Sequence, residues 1–263
     1  MLYITNIFIM SVVLVVVAMP AYAEPYTELW PLLKIEYFGD KTIREDADDL
    51  LVLEAPKRAE DAAIVPITIK SLVPQTADKY IKNIHIIIDS NPEPYSANFT
   101  LSANLALIDI STRMRVDRYT YVRAIAEMND GSLHMVSRFV KASGGCSAPP
   151  SKDAESALAR LGKMQIRMRK PIIGKLVTAQ VIISHPNFSG LQFDQITRGY
   201  FPEYRVTKID IAYNDEILIS VETGISVSED PSIRFTFTPA EPGILKVDVT
   251  DSKNQQFSHT KEI

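Results

Sequence analysis

The chain has 263 residues, 46% of them hydrophobic, so it can bury one or two globular cores. Its 28 basic and 32 acidic side chains give a net charge of −4, and no basic arm is present to neutralise phosphates. Nucleic acid is therefore excluded as an expected partner. The single cysteine, Cys146, excludes an internal disulfide and must be buried, paired between chains, or chemically used.

The first residues predict a secretory signal. Residues 7–18 carry no charge, and the small-x-small sequence Ala21-Tyr22-Ala23 stands just before Glu24. We expect cleavage after Ala23. The apolar run is shorter than the roughly 20 residues that cross a bilayer, so no membrane span is expected in the mature protein.

A short helix is predicted next, capped by Thr27 and carrying Leu29, Trp30, Leu32 and Leu33. From Ile64 onward the hydrophobic period changes to two, which is typical of half-buried strands. This alternation predicts that Ile87 and Arg115 point outward, on the opposite face of the strand from the residues that point into the core. The residues predicted to point inward here are Ile84, Ile86, Ile88, Met114 and Val116.

A segment rich in Gly, Ser and Pro, residues 142–151, interrupts the pattern and predicts a domain boundary. A short helix capped by Asp153 is expected to follow it, before strands resume near Met164. The predicted organisation is a signal at 1–23, a first domain at 24–141, a linker at 142–163 and a second domain at 164–263.

The C-terminal part alternates again, with short strands and Pro or Gly turns between them. This spacing predicts a second β-sandwich, so the expected fold class is mainly β with a short N-terminal helix. The predicted inward residues are Ile217, Ile219, Val221, Ile233, Phe235, Phe237, Leu245, Val247 and Val249.

Motifs for catalysis and metal binding are missing from the sequence. The four histidines, at 85, 134, 185 and 259, have no metal-ligand spacing, and no nucleophile elbow or phosphate-binding loop occurs. We therefore predict no enzyme activity, no metal and no cofactor, and interpret His185 as a hydrogen-bonded turn residue.

Cys146 is the one candidate for chemistry. It follows Gly144 and Gly145, which lack a Cβ and predict an unhindered, exposed thiol. Lys141 and Lys152 lie close enough in sequence to favour the thiolate. The alternative is a buried and inert cysteine, because free cysteine also packs as a small hydrophobe.

Several segments carry a family resemblance. Residues 54–69 (EAPKRAEDAAIVPITI), 91–94 (NPEP) and 144–146 (GGC) resemble SoxY, the sulfur-carrying subunit of bacterial thiosulfate oxidation. Residues 183–186 (ISHP), Gly190 and residues 225–235 (ISVSEDPSIRF) resemble its partner SoxZ. One chain joining both halves looks most like the quinoprotein dehydrogenase-associated SoxYZ-like carrier family.

This resemblance implies two immunoglobulin-like β-sandwich domains, a periplasmic location and a non-enzymatic carrier role. It implies that Cys146, flanked by Gly144 and Gly145, is the covalent carrier of a sulfur species or similar group to periplasmic sulfur-oxidising enzymes. In SoxY the cysteine lies in a free Gly-Gly-Cys-Gly-Gly tail, whereas Cys146 is internal and Pro149 and Pro150 follow it.

The sequence also allows two alternatives. The protein could be a binding or assembly module for a pyrroloquinoline-quinone-dependent (PQQ) alcohol dehydrogenase, without thiol chemistry. Cys146 could also join two chains in a disulfide dimer, since an exported protein meets an oxidising compartment.

Overall fold

The computed structural model describes residues 29–151 and 154–263. The predicted signal segment 1–23 and the two predicted caps, Thr27 and Asp153, lie outside the described residues. Two helices are present in the described part, α1 (Leu29–Phe38) and α2 (Ala154–Ala159). Neither has the length or the apolar composition needed to span a bilayer.

Strands far outnumber helices in the described chain, which confirms the mainly β fold. Eight of those described precede the Gly/Ser/Pro segment, and their bounds are β1 (Ile43–Arg44), β2 (Leu51–Glu54), β3 (Val65–Ser71), β4 (Ile81–Ile88), β5 (Tyr95–Leu101), β6 (Asp109–Met114), β7 (Thr120–Met128) and β8 (Leu133–Val140). The strands described after it are β9 (Met164–Met168), β10 (Val177–Ile183), β11 (Phe193–Asp194), β12 (Gly199–Tyr200), β13 (Val206–Tyr213), β14 (Glu216–Thr223), β15 (Ser232–Phe237), β16 (Ile244–Asp251) and β17 (Gln256–Glu262).

The two halves of the chain share their sheets. One sheet has the order β1-β8-β7-β4-β5-β14-β13-β16-β17, and a second has the order β2-β3-β6-β15-β10-β9. The halves meet where β5 pairs antiparallel with β14 and where Ser111 of β6 pairs with Arg234 of β15. The two predicted sandwich-like arrangements are therefore present, and hydrogen-bonded ladders continue across the seam between them.

One apolar cluster fills the space between the sheets and runs through both halves. It contains the predicted inward residues Ile84, Met114 and Val116 of the first half together with Ile233 and Val247 of the second. Burial of alternate aliphatic side chains stabilises such a layered fold by about 25 cal/mol per Å² of apolar surface removed from water.

Ile87 departs from the predicted alternation because it is fully buried. Helix α1 covers the outer face of β4 and β7, and its Trp30, Leu33 and Phe38 pack on Ile87 in a second apolar cluster. The outer face of this part of the sheet is thus buried by a helix rather than exposed to solvent.

Ile217 was predicted to point inward, and this prediction is wrong: its side chain is 51% exposed. The register between β13 and β14 shifts at Ile211 and Ala212, so that Leu218 is the extra residue of a bulge. Leu218 is buried in place of Ile217. A bulge exchanges the faces of the residues on either side of it, which a strict period of two does not predict.

Candidate functional site

Cys146 lies in a turn between β8 and α2 that folds back against the end of β6. The Gly144 amide donates a hydrogen bond to the Asp117 carbonyl (2.7 Å), and the Gly145 amide donates to the Val116 carbonyl (3.2 Å). The Cys146 amide donates to the Asp117 carboxylate (3.3 Å). Gly144 has φ +74°, a conformation that favours glycine. We call residues 144–148 the Cys146 loop.

Gly145 brings the loop unusually close to the first half of the chain. A Cβ at this position would lie 2.1 Å from the Ala62 carbonyl oxygen and 2.7 Å from the Val116 carbonyl oxygen. Ala62 and Val116 are themselves joined by a backbone hydrogen bond of 2.9 Å. Glycine is therefore required here for close packing of backbone on backbone, and it confers no mobility.

The second half of the chain holds the loop from the other side. The Ser189 hydroxyl donates to the Cys146 carbonyl (2.6 Å), and the Gln192 amide donates to the Ala148 carbonyl (2.9 Å). The Ser189 backbone amide also donates a hydrogen bond to the Gln192 side-chain oxygen, and both residues are buried. The Cys146 loop is thus bound between the two halves.

The prediction that the Cys146 thiol is exposed is wrong, because 0% of the residue's surface is accessible to solvent. Burial and the nearby Asp117 carboxylate raise the pKa of the Cys146 thiol and the Arg115 guanidinium opposes them, with a net pKa of about 12. The thiol is therefore protonated at neutral pH. With the loop closed, the sulfur offers no surface for a disulfide with a second chain.

Arg115 is the cation beside Cys146, and the alternation predicted it to face outward. It is only 2% exposed, and its guanidinium donates to the carbonyls of Ile225 (3.1 Å) and Val227 (2.5 Å). Burial lowers the pKa of Arg115 to about 10, so the group stays charged at neutral pH. No sequence signal separates this buried arginine from a surface one, because its partners are backbone atoms more than 100 residues away.

The segments that carry the family resemblance converge on this loop. Asn91 of the NPEP turn donates to the Arg115 carbonyl and the Ser226 hydroxyl, both at 2.8 Å, and accepts from the Asp117 amide (2.9 Å). The Glu93 charge acts on the thiol of Cys146 and raises its pKa. The loop therefore lies where the distinctive segments of both halves meet.

His185 is buried next to the segment that holds the loop. Its Nδ1 accepts the Asn187 amide (3.0 Å), so His185 is hydrogen-bonded as predicted. Its ring packs edge-on against Tyr204, and its Nε2 lies 3.8 Å from the Asp251 carboxylate. The Tyr204 hydroxyl donates to the same carboxylate (2.9 Å). Burial lowers the pKa of His185 to about 4, against the opposing charge of Asp251.

We expect this buried histidine to make the protein less stable in acid. The folded-state pKa of His185, about 4, lies below the usual 6.5, so the unfolded chain binds more protons between these values. The stabilising contribution is complete above pH 6.5 and is lost as the pH falls toward 4, by about 3 kcal/mol in total. His185→Asn keeps an acceptor for Asn187 and should remove most of this loss in urea unfolding at pH 7 and pH 4.5. An unchanged pH dependence in the variant would contradict the assignment.

Within residues 29–151 and 154–263, no group of three or more His, Cys, Asp or Glu side chains is arranged to bind a metal ion. The chemistry available at the loop is therefore that of one sheltered thiol with a buried arginine, a carboxylate and backbone donors around it. Such a site can form a covalent adduct once the thiol becomes accessible, since the thiolate is the nucleophilic form of cysteine.

Solved structures similar to this chain include the sulfur carrier protein SoxY from Chlorobium limicola f thiosulfatophilum (25% identity, 44% of this chain and 94% of that chain covered, TM-score 0.37). Others are the E23A variant of superoxide reductase (neelaredoxin) from Ignicoccus hospitalis (14% identity, 40% of this chain and 96% of that chain, TM-score 0.30) and fibronectin(III)-like modules of CbhA from Clostridium thermocellum (10%, 81% and 93%, TM-score 0.24). TM-scores of this size are too low to transfer a function. None of the curated proteins compared with the chain matches it.

Family models match both halves. The model described as sulfur oxidation protein SoxY matches residues 34–146, and the model described as sulphur oxidation protein SoxZ matches residues 166–262. Proteins of both families are non-catalytic sulfur carriers. The chain therefore belongs to these families as a fused SoxYZ-like protein, a SoxY domain followed by a SoxZ domain, and is a sulfur carrier protein of thiosulfate oxidation.

Proposed function

We propose that Cys146 is the thiol that bears the cargo of this carrier, and that the Cys146 loop shelters it until the loop opens. The SoxY match ends at residue 146, which supports a role for this cysteine. The predicted signal at residues 1–23 supports a periplasmic location, where sulfur-oxidising enzymes would be the partners that add and remove the sulfur group.

The observation that carries this proposal is the polar setting of the buried thiol. Cys146 belongs to neither apolar cluster, whereas an inert cysteine usually packs as a small hydrophobe. The charges of Asp117, Arg115 and Glu93 act on its sulfur instead. Its loop is held to the two halves by hydrogen bonds and by the close packing of Gly145, so release of the loop requires no covalent bond to break.

Closure explains how the thiol is kept unreactive. With a pKa of about 12, only about one thiol in ten thousand is ionised at pH 8. An opened loop would return the pKa toward the usual value of about 8.5 and make the thiolate a good nucleophile. Opening therefore controls both access to the sulfur and its reactivity.

The test is the rate at which native Cys146 reacts with iodoacetamide at pH 8. Ser189→Ala removes the hydrogen bond to the Cys146 carbonyl, worth about 1 kcal/mol, so we expect labelling to become roughly fivefold faster. Ser102→Ala is the matched control. The Ser102 hydroxyl also donates a hydrogen bond across the two halves, to the Glu216 carboxylate, but it lies at the end of β5 that is far from Glu93 and the Cys146 loop. Equal rates in the two variants would contradict loop gating.

The burial of Cys146 favours a second candidate, the assembly module for a periplasmic PQQ alcohol dehydrogenase. In that function the thiol is never used, and the shared sheets provide a rigid binding surface. This candidate becomes the better one if Cys146 in the native protein and in Ser189→Ala reacts no faster than the whole chain unfolds.

A further inference from the structure

Three aliphatic side chains are exposed on the loop that joins β9 to β10, residues 169–176 (RKPIIGKL), which we call the β9–β10 loop. Ile172 is 61% exposed, Leu176 51% and Ile173 41%. None of the three belongs to either apolar cluster of the described chain. Single exposed aliphatic residues are ordinary on a protein surface, but three in one short loop concentrate apolar surface at one place.

The backbone of the β9–β10 loop is held by hydrogen bonds. The Lys175 amide donates to the Ile172 carbonyl (3.0 Å), and the Gly174 amide donates to the Pro239 carbonyl in the turn after β15 (2.8 Å). Gly174 has φ +74°, a conformation that favours glycine. The aliphatic side chains are therefore exposed by a defined turn that is attached to the neighbouring strand connection.

Positive charge accompanies these aliphatic side chains. Arg169, Lys170 and Lys175 are exposed, and their side chains have no hydrogen bond or ion pair within residues 29–151 and 154–263. The surrounding residues 157–192 contain six basic side chains and no acidic one, although the whole chain has a net charge of −4. The loop is thus a local concentration of unpaired positive charge.

A groove of about 420 Å³ lies between the loop and the start of β10. Its lining, taken from the described residues, includes the three cations of the loop and no acidic side chain. The turn after β15 carries Glu241, but the Glu241 carboxylate accepts a hydrogen bond from the Asn214 amide (3.4 Å). The groove therefore offers space and positive charge to an anionic headgroup.

We infer that the β9–β10 loop binds an anionic lipid surface, with its aliphatic side chains inserted at the acyl boundary and its cations at the headgroups. Cations beside exposed aliphatic side chains are the combination that such surfaces attract. A specific protein partner normally covers about 800 Å² on each side, which calls for roughly 20–30 residues. A loop of eight residues is small for that purpose and sufficient for shallow insertion into lipid.

The β9–β10 loop and the Cys146 loop lie at opposite ends of β10. Strand β10 (Val177–Ile183) begins at the β9–β10 loop, and the segment that follows it contains Ser189, which binds the Cys146 carbonyl. Seven residues of strand extend over about 20 Å. Lipid binding at one end leaves the other end directed away from the surface. The inference does not rest on thiol carriage.

Flotation with lipid vesicles is the first test. The chain is used from Glu24 onward, because the predicted signal would itself bind lipid. We expect binding to phosphatidylcholine vesicles that contain about 30% phosphatidylglycerol, and binding at least tenfold weaker to phosphatidylcholine alone. High salt should weaken the binding, since it screens exposed charges. Equal binding to both vesicles, or binding to neither, would overturn the inference, and the latter would leave an acidic protein surface as the occupant.

Matched variants test whether the loop is the binding element. Ile172→Ser should weaken binding to the anionic vesicles about tenfold, and Lys170→Gln about fivefold, as expected for one inserted aliphatic side chain and one cation. The controls are Ile196→Ser, at a site 92% exposed between β11 and β12, and Lys57→Gln, at an exposed site in the first half. Both should bind as the parent does. Equal losses in the loop and control variants would overturn the assignment.

Insertion is measured separately with a tryptophan in the loop. Ile172→Trp should show a blue-shifted emission on addition of the anionic vesicles, and quenching when the lipid chains are brominated. Ile196→Trp should show neither change. Trp30, the one native tryptophan, is 6% exposed and gives both variants the same background. An Ile172→Trp emission that stays unshifted and unquenched with the anionic vesicles would overturn insertion of the loop.

Discussion

Replacing Gly145 with alanine is expected to expose the thiol of Cys146 more strongly than any other single change at the loop. The new Cβ would overlap the carbonyl oxygens of Ala62 and Val116, which are backbone atoms and cannot rotate away. Such overpacking costs about 1–3 kcal/mol, which corresponds to a roughly 5- to 150-fold larger open population. Iodoacetamide labelling of the native variant at pH 8 measures this increase directly.

Gly199→Ala is the control for this experiment. Gly199 lies in the short strand β12, and a Cβ there would meet only the Thr197 hydroxyl, at 3.8 Å. We expect wild-type labelling of Cys146 in this variant. If Gly145→Ala labels as slowly as Gly199→Ala, close packing at Gly145 does not hold the loop shut, and the proposed shelter fails.

The loss of Arg123 should produce the largest fall in stability. Its guanidinium donates to both Asp89 carboxylate oxygens at 2.7–3.0 Å, and both side chains are buried. It also lies 4.4 Å from the centre of the Trp30 ring, which ties α1 to the sheet. Arg123→Met leaves Asp89 charged, buried and unpaired, so we expect a loss of about 3–5 kcal/mol in urea unfolding at pH 7.

Two controls accompany the Arg123→Met variant: a double variant that removes both buried charges, and a variant that breaks an exposed ion pair. Arg123→Met with Asp89→Leu removes both charges and should recover most of the lost stability, because a buried ion pair replaced by apolar groups is often neutral. Arg44→Met breaks the exposed pair with Asp49 and should leave the unfolding midpoint nearly unchanged. A loss in Arg123→Met no larger than in Arg44→Met would contradict the buried pair.

The internal position of Cys146 has a physical consequence for a carrier. A cysteine in a free tail explores space around one anchor, whereas this loop is joined at both ends, to β8 and toward α2. Its carbonyls are bound by Ser189 and Gln192 of the SoxZ domain. The SoxZ domain therefore provides contacts that close the loop, and we expect a partner that competes for them to open it.

The strands were predictable because a period of two is a local property. Ile84, Ile86 and Ile88 lie inward as the alternation predicts. Ile87 and Ile217 departed from it for non-local reasons: helix α1 covers the outer face at Ile87, and a bulge at Leu218 exchanges the faces near Ile217. The sharing of both sheets by the two halves was also beyond local pattern, since β5 pairs with a strand more than 100 residues later.

By itself, the sequence determined the mainly β fold, the family of each half and the one residue with thiol chemistry, because composition, alternation and short motifs are written along the chain. Only the tertiary structure decided that Cys146 is sheltered and that the Arg115 guanidinium acts on its thiol. The groups that bind the loop, at Ala62, Val116 and Ser189, are 30 to 84 residues from Cys146 and carry no local signal. Burial and pKa arise from such long-range contacts, so they become visible only when the chain is folded.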